Sequence, residues 1–297
     1  MYSPGLHRFA ILLAVCTLFL VVAGASVTSK SAGLSVPDWP LSYGQVMPEM
    51  TGGVLFEHGH RMVGATVGML TIGLLIWILR FEKRSWMRKM GWVMLAWVIG
   101  VGLLGGLTVK LLTPPPVSMA HTCLAQLFFS LTVAMAVFTS KSFIEGPQVV
   151  NDYGWPSLRS IAIATPMFVL AQIALGAGFR HGAMSVLPHI IGAMLVTLVI
   201  LFAGIFVLHQ FPDHGALRRS AVVLLGITFL QVFLGILAYF MRLNAAEQPL
   251  AMVLSTVAHV AVGASTLAAS IVLAIQIRRN VRPQLSEATQ STQAVTS

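Results

Sequence analysis

A chain of 297 residues that is 57% hydrophobic and only 9% charged is not an ordinary soluble domain, in which roughly a quarter of residues carry charge. Its net charge of +9 would suggest a polyanionic partner in a soluble protein, but here the basic residues sit between long apolar runs. That placement excludes a nucleic-acid surface and points to a bilayer.

Eight stretches supply the roughly 20 apolar residues that a helix needs to cross the hydrocarbon core: 8–27, 60–80, 91–111, 117–139, 159–179, 186–208, 220–241 and 251–277. They predict an all-α, polytopic membrane protein with eight transmembrane helices. The first stretch ends in Ala23-Gly24-Ala25, a small-x-small pattern resembling a signal-peptide cleavage site. Its apolar run is too long for a typical signal sequence and seven more spans follow, so a retained helix is expected. Residues 28–58 read as a long polar loop with Pro37, Pro40 and Pro48, and loops of that length in compact proteins are functional or unstructured. Trp39 within it is a lid or an interfacial anchor, the anchor being preferred. Glu57-His58-Gly59-His60-Arg61 leads from this loop into the second span, which opens at His60; the third carries Leu104-Gly-Gly-Leu-Thr-Val109, and the fourth has Ala120-His121 near its start.

These motifs recur. His189-Ile-Ile-Gly192 opens the sixth span, Leu234-Gly-Ile-Leu-Ala-Tyr239 lies in the seventh, and Ala258-His259 in the eighth. The chain therefore reads as a duplication, with the connection 140–158 (Pro147, Pro156) as boundary. Residues 1–146 and 147–282 form two pseudo-symmetric four-helix bundles of the same orientation, because four spans return a chain to its starting side. The polar tail 283–297 is expected to be disordered.

With the N-terminus inside, thirteen of the eighteen Lys and Arg residues fall on the inner side, among them Arg80, Lys83, Arg84, Arg88 and Lys89. Only Lys30, Arg61, Lys110, Arg180 and Arg242 fall outside. The positive-inside rule then places both termini in the cytoplasm. Cys16 and Cys123 lie within spans, where packing is the simpler role, and no CxxCH attachment motif exists, so any haem is held non-covalently.

Four histidines, His60, His121, His189 and His259, share the outer side. Ionisable groups at membrane depth are costly enough to imply function, and four in a repeated arrangement point to two bis-histidine haem sites, one per half. Interfacial hydrogen bonding is the plain alternative for each histidine alone. Each also has a Gly or Ala four residues on (Gly64, Ala125, Ala193, Gly263), one helical turn away, where a flat macrocycle could lie. The halves are unequal. Glu57 stands three residues before His60, on the same side of a helical turn, whereas Leu187 and Pro188 precede His189. That asymmetry suggests chemistry in the first half and electron handling in the second. Glu57 could equally be a helix-terminal carboxylate or a partner for Arg61. His58, two residues from His60, should face elsewhere, toward the surface, and His181 reads as a loop residue.

Ser31-Ala-Gly-Leu-Ser-Val-Pro-Asp-Trp39 followed by Glu57-His-Gly-His60-Arg61 resembles the haem A synthase family of cytochrome oxidase assembly proteins, and the eight-helix layout resembles it throughout. The resemblance implies an oxidoreductase of the cell's inner (plasma) membrane that oxidises a ring methyl group of haem O, in two steps, to the formyl group of haem A. It implies that Glu57 is the catalytic carboxylate, that His60 and His121 ligate or position substrate haem O, and that His189 and His259 ligate a resident haem b. A haem O synthase and an electron donor are the implied protein partners, with an oligomer open. Some members carry a cysteine pair in the first outer loop, which this chain lacks. A second class of function is a di-haem b-type electron-transfer protein that oxidises quinol without modifying haem, and a third is a haem carrier.

Overall fold

The computed structural model describes residues 2–152, 155–243 and 249–283. The tail beyond 283, expected to be disordered, lies outside the described residues. Eight long helices cover most of the rest: α1 (Pro4–Ser29), α2 (Gly52–Phe81), α3 (Ser85–Lys110), α4 (Pro115–Thr139), α5 (Leu158–Arg180), α6 (Leu187–Gln210), α7 (Gly215–Leu243) and α8 (Leu250–Asn280). All eight are long and apolar enough to span a bilayer. Their outward faces carry large apolar side chains such as Phe229, 80% exposed, and Leu198, 64% exposed, an arrangement suited to lipid, in which such exposure costs nothing.

Each half is a closed ring of four helices. Successive helices pack together in α1–α4, and α1 closes on α4; in α5–α8 the same contacts occur, with α5 closing on α8. The halves meet through α4 on α8, α1 on α8 and α4 on α5. Exchanging the halves turns the α1–α8 contact into α5–α4 and leaves α4–α8 in place, the pattern of a two-fold. Leu13, Leu74, Met94 and Met135 fill the first ring, and Leu158, Ile200, Leu224 and Leu267 the second. The seam between them holds Val21, Phe129, Ala264 and Ala268.

Helix α2 starts at Gly52, well before the expected 60, and the outer loop shrinks to 30–51. Composition misleads here, because Gly, Glu and His read as loop while the structure winds them into two further turns. Tertiary contacts outweigh propensity: a Cβ at Gly53 would run into Ser35 of the loop, so the glycines let the loop close down on the helix. At the opposite end, the connection between halves carries a single helical turn (Lys141–Ile144). It then pairs β1 (Val150–Asn151) with β2 (Val281–Arg282) in parallel. His214 is 7% exposed there and its Nε2 donates to the Gln148 carbonyl at 2.8 Å.

Candidate functional site

The four histidines lie at one end of the bundle, each on an even-numbered helix, and each rests on a glycine of the helix before it. A Cβ at Gly24 would stand 2.9 Å from Cε1 of His60, at Gly105 3.0 Å from His121, at Gly176 2.9 Å from His189, and at Gly235 2.9 Å from His259. Any side chain there would displace the ring. The bare backbone lets the imidazole reach the carbonyl one turn earlier: Nδ1 of His121 donates to Val101 O, and Nδ1 of His259 to Gln231 O, both at 3.2 Å. A proton held on Nδ1 leaves Nε2 as the free electron pair, the form a metal takes. The glycine contact recurs in the same place on four helix pairs, while the Nδ1–carbonyl bond is made by His121 and His259; His189 Nδ1 meets the Gln172 amide, and His60 Nδ1 is buried with no partner among the described residues.

Of the small residues one turn after the histidines, Gly64 faces Leu20 of α1 at 3.7 Å and Gly263 faces Gln231 of α7 at 3.0 Å, and Gly192, three residues after His189, faces Gln172 of α5 (distances from an ideal Cβ). At these glycines the paired helices are in contact through the neighbour's side chain.

In the second half the rings of His189 and His259 are 6.2 Å apart, centroid to centroid, with planes at 88°. An imidazole–metal bond of roughly 2 Å on either side, plus the half-widths of two rings, accounts for a separation of this size. The spacing of the two rings would admit one metal ion between them. His60 and His121 lie close enough for their charges to interact. Among the described residues no group of three or more His, Cys, Asp or Glu side chains forms a metal cage.

The first half differs through its loop. Glu57 is 4% exposed; Oε2 accepts from the Val36 backbone at 2.9 Å and Oε1 pairs with Arg61 at 2.7 Å. Arg61 also donates to the carbonyls of Asp38 (2.8 Å) and Leu41 (2.9 Å) and to Val36 O (3.4 Å). One ion pair thus holds the loop over the end of α2. His58 is not a surface residue: it is 6% exposed, and Nδ1 meets Ser42 Oγ at 2.7 Å. Polar partners on the loop bury it, which helical spacing on its own could not reveal. Trp39 turns inward as well, its indole lying so flat on α3 that a Cβ at Gly106 would clash with it. It is a cover beside the His121 seat, and the anchor reading is corrected. Backbone N–H groups of Gly44 and Tyr43 hold the Asp38 carboxyl below its ordinary range and fix the loop's turn.

Arg180 crosses between halves, donating to Ala25 O and Ser29 Oγ at the end of α1. His181 ends α5 and meets Thr122 Oγ, next to His121, at 3.2 Å. Burial, then the charges of Arg180 and His121, pull the His181 imidazole down to about 4, so it is neutral at pH 7. These two residues join the outer ends of the halves and were not foreseen as a pair.

Residues 49–187 match a protein family described as cytochrome oxidase assembly protein. Similar curated proteins are the heme A synthase of Symbiobacterium thermophilum, 25% identical over 259 residues (78% of this chain, 84% of that protein), that of Shouchella clausii, 26% identical over 240 residues (77% and 75%), and that of Bacillus licheniformis, 22% identical over 272 residues (82% and 88%). At family level the chain matches the haem A synthases. The family stretch begins at the end of the loop, takes in Glu57, His60 and His121, and ends just before His189. Homology to this oxidoreductase family, at low identity, extends over most of the eight helices.

Proposed function

We propose that this protein is a haem A synthase: it oxidises a ring methyl group of haem O to the formyl group of haem A, with haem O in the first half and a haem b kept in the second. The observation that carries this reading is the fourfold glycine-seated histidine, two per ring, at the end that also bears the Glu57–Arg61 loop clamp. The family-level match supports the identity of the substrate.

His189 and His259 would hold haem b, and His60 and His121 would ligate or position haem O. Haem b supplies one-electron redox chemistry that no side chain provides. The chain's own residues do the rest. The glycine seats fix each ring against its neighbouring helix, so the reacting methyl is held in one place. The loop, with Trp39 against α3 and Val36 fully buried, excludes water from the first half. Glu57 would take a proton as the methyl carbon is oxidised, or orient a water. Each of its oxygens accepts one hydrogen bond, from the Val36 N–H or from Arg61, and keeps a second lone pair, so the loop clamp would orient Glu57 for that role. An electron donor and a haem O synthase are the partners this reading requires. The excess of basic residues at the opposite end would place the site on the outer side of the plasma membrane.

The test is to express the chain in cells lacking a haem A synthase, extract the pigments and weigh them. Haem A or its hydroxylated precursor is expected. Haem b alone would overturn the synthase and leave a di-haem electron-transfer protein, and little bound haem of any kind would leave a carrier.

A further inference from the structure

The residue one turn before each seat glycine differs between the halves. It is Leu20 and Val101 in the first, Gln172 and Gln231 in the second. The position is the same in both: Leu20 lies on Gly64, Gln172 on Gly192 and Gln231 on Gly263, beside the histidine of the next helix. An amide inside an apolar bundle is costly unless its groups are satisfied. Gln172 Nε2 donates to the His189 carbonyl at 2.8 Å and meets His189 Nδ1 at 2.9 Å, and Gln231 Nε2 stands 3.4 Å from His259 Nε2. Oε1 of each glutamine is buried without a partner among the described residues.

We propose that Gln172 and Gln231 are positioning residues that make the second half the one that keeps its haem, a reading that rests on the haem assignment above. Hydrogen bonds between helices act as glue in a bilayer, where apolar contact alone gives little preference for a neighbour over lipid. Gln172 ties α5 to α6 at the ligand residue itself, and Gln231 reaches from α7 to the ring on α8. In the first half the side chains at these positions, Leu20 and Val101, offer only van der Waals contact, and the cross-helix bond there is the one from His121 Nδ1 to the Val101 carbonyl; with no side-chain amide its helix pairs part more easily, as a site that admits substrate and releases product must. A turn of the Gln172 amide that keeps Nε2 on the His189 carbonyl and brings Oε1 to His189 Nδ1 would let it accept the Nδ1 proton that ligation through Nε2 requires, as the Gln231 carbonyl already does for His259.

The experiment loads the full-length protein in lipid nanodiscs with haem b and follows haem release to excess apomyoglobin, alongside the low-spin spectrum. In the Gln172→Met/Gln231→Met variant the retained haem should leave about 10–100-fold faster, the usual effect of losing partners to metal-bound histidines, with a high-spin fraction appearing. Gln126→Met serves as control, since Gln126 is another buried amide with an unpartnered oxygen, away from the seats. It should leave the rate unchanged. Should the double variant fail to fold, the single variants, each keeping one tie, decide the matter with intermediate rates. Release as slow as in the unaltered protein, or equally fast in Gln126→Met, overturns the glutamine assignment alone. Failure of the unaltered protein to retain a low-spin haem that depends on His189 and His259 overturns the haem assignment and this inference with it.

Discussion

Single atoms decide the site. A Cβ at Gly176 or Gly235 would occupy the place of the imidazole's Cε1. In helix propensity alone, Gly→Ala gains about 1 kcal/mol, so the change should stabilise the helix while expelling the ring. We expect Gly176→Ala and Gly235→Ala to keep the protein folded but to lower haem b affinity about 10–100-fold, measured as haem bound per protein. Gly226→Ala on α7, where a Cβ meets open space, should leave haem content unchanged. Equal haem in all three would remove the seats from the mechanism. Glu57 offers a second test. If it takes the substrate proton, Glu57→Gln should retain haem b while conversion of haem O falls by roughly 10²–10⁴-fold. A normal yield of haem A per folded protein would leave Glu57 as a loop anchor only.

At the scale of elements, the segment 30–51 is held by few points. Arg61 bonds Val36, Asp38, Leu41 and Ser42 of the loop as well as Glu57. With Arg61 gone, four loop oxygens lose a donor and Glu57 becomes a buried, half-partnered carboxylate. Breaking a buried pair in this way costs about 3–5 kcal/mol, and the weaker element should open first. Arg61→Ala should therefore make residues 30–51 sensitive to protease while the eight helices keep their circular dichroism. Loop cleavage no faster than in the unaltered protein would show that Trp39 and His58 hold it without the arginine.

For the whole molecule, the two-fold arrangement and the charge distribution make a prediction about sidedness. Val46 at the histidine end is 81% exposed, and Lys83 lies in the connection at the other end. In a chain with Cys16 and Cys123 replaced, a cysteine at position 46 should react with a membrane-impermeant thiol reagent in intact cells. One at position 83 should react only after the membrane is opened. The reverse result would turn the haem sites toward the cytoplasm and refute the orientation drawn from thirteen inner and five outer basic residues.

Sequence alone determined the eight spans, because hydrocarbon thickness sets helix length and 9% charge leaves no other solvent. It also determined the repeat, since Leu104-Gly105 and Leu234-Gly235 stand at matching places in α3 and α7, and it singled out the four histidines as ionisable groups where lipid tolerates few. Gly24 was visible only as part of a small-residue pattern, and neither it nor Gly176 announced a ring from another helix. Their meaning depends on which helices pair and how they are rotated, and in lipid no apolar–polar alternation records that rotation. The same holds for His58 and Trp39, whose partners Ser42 and Gly106 are distant in sequence. Contacts between neighbours along the chain follow from local periodicity. Contacts across helices depend on side-chain shape at close range, and only the tertiary structure expresses it.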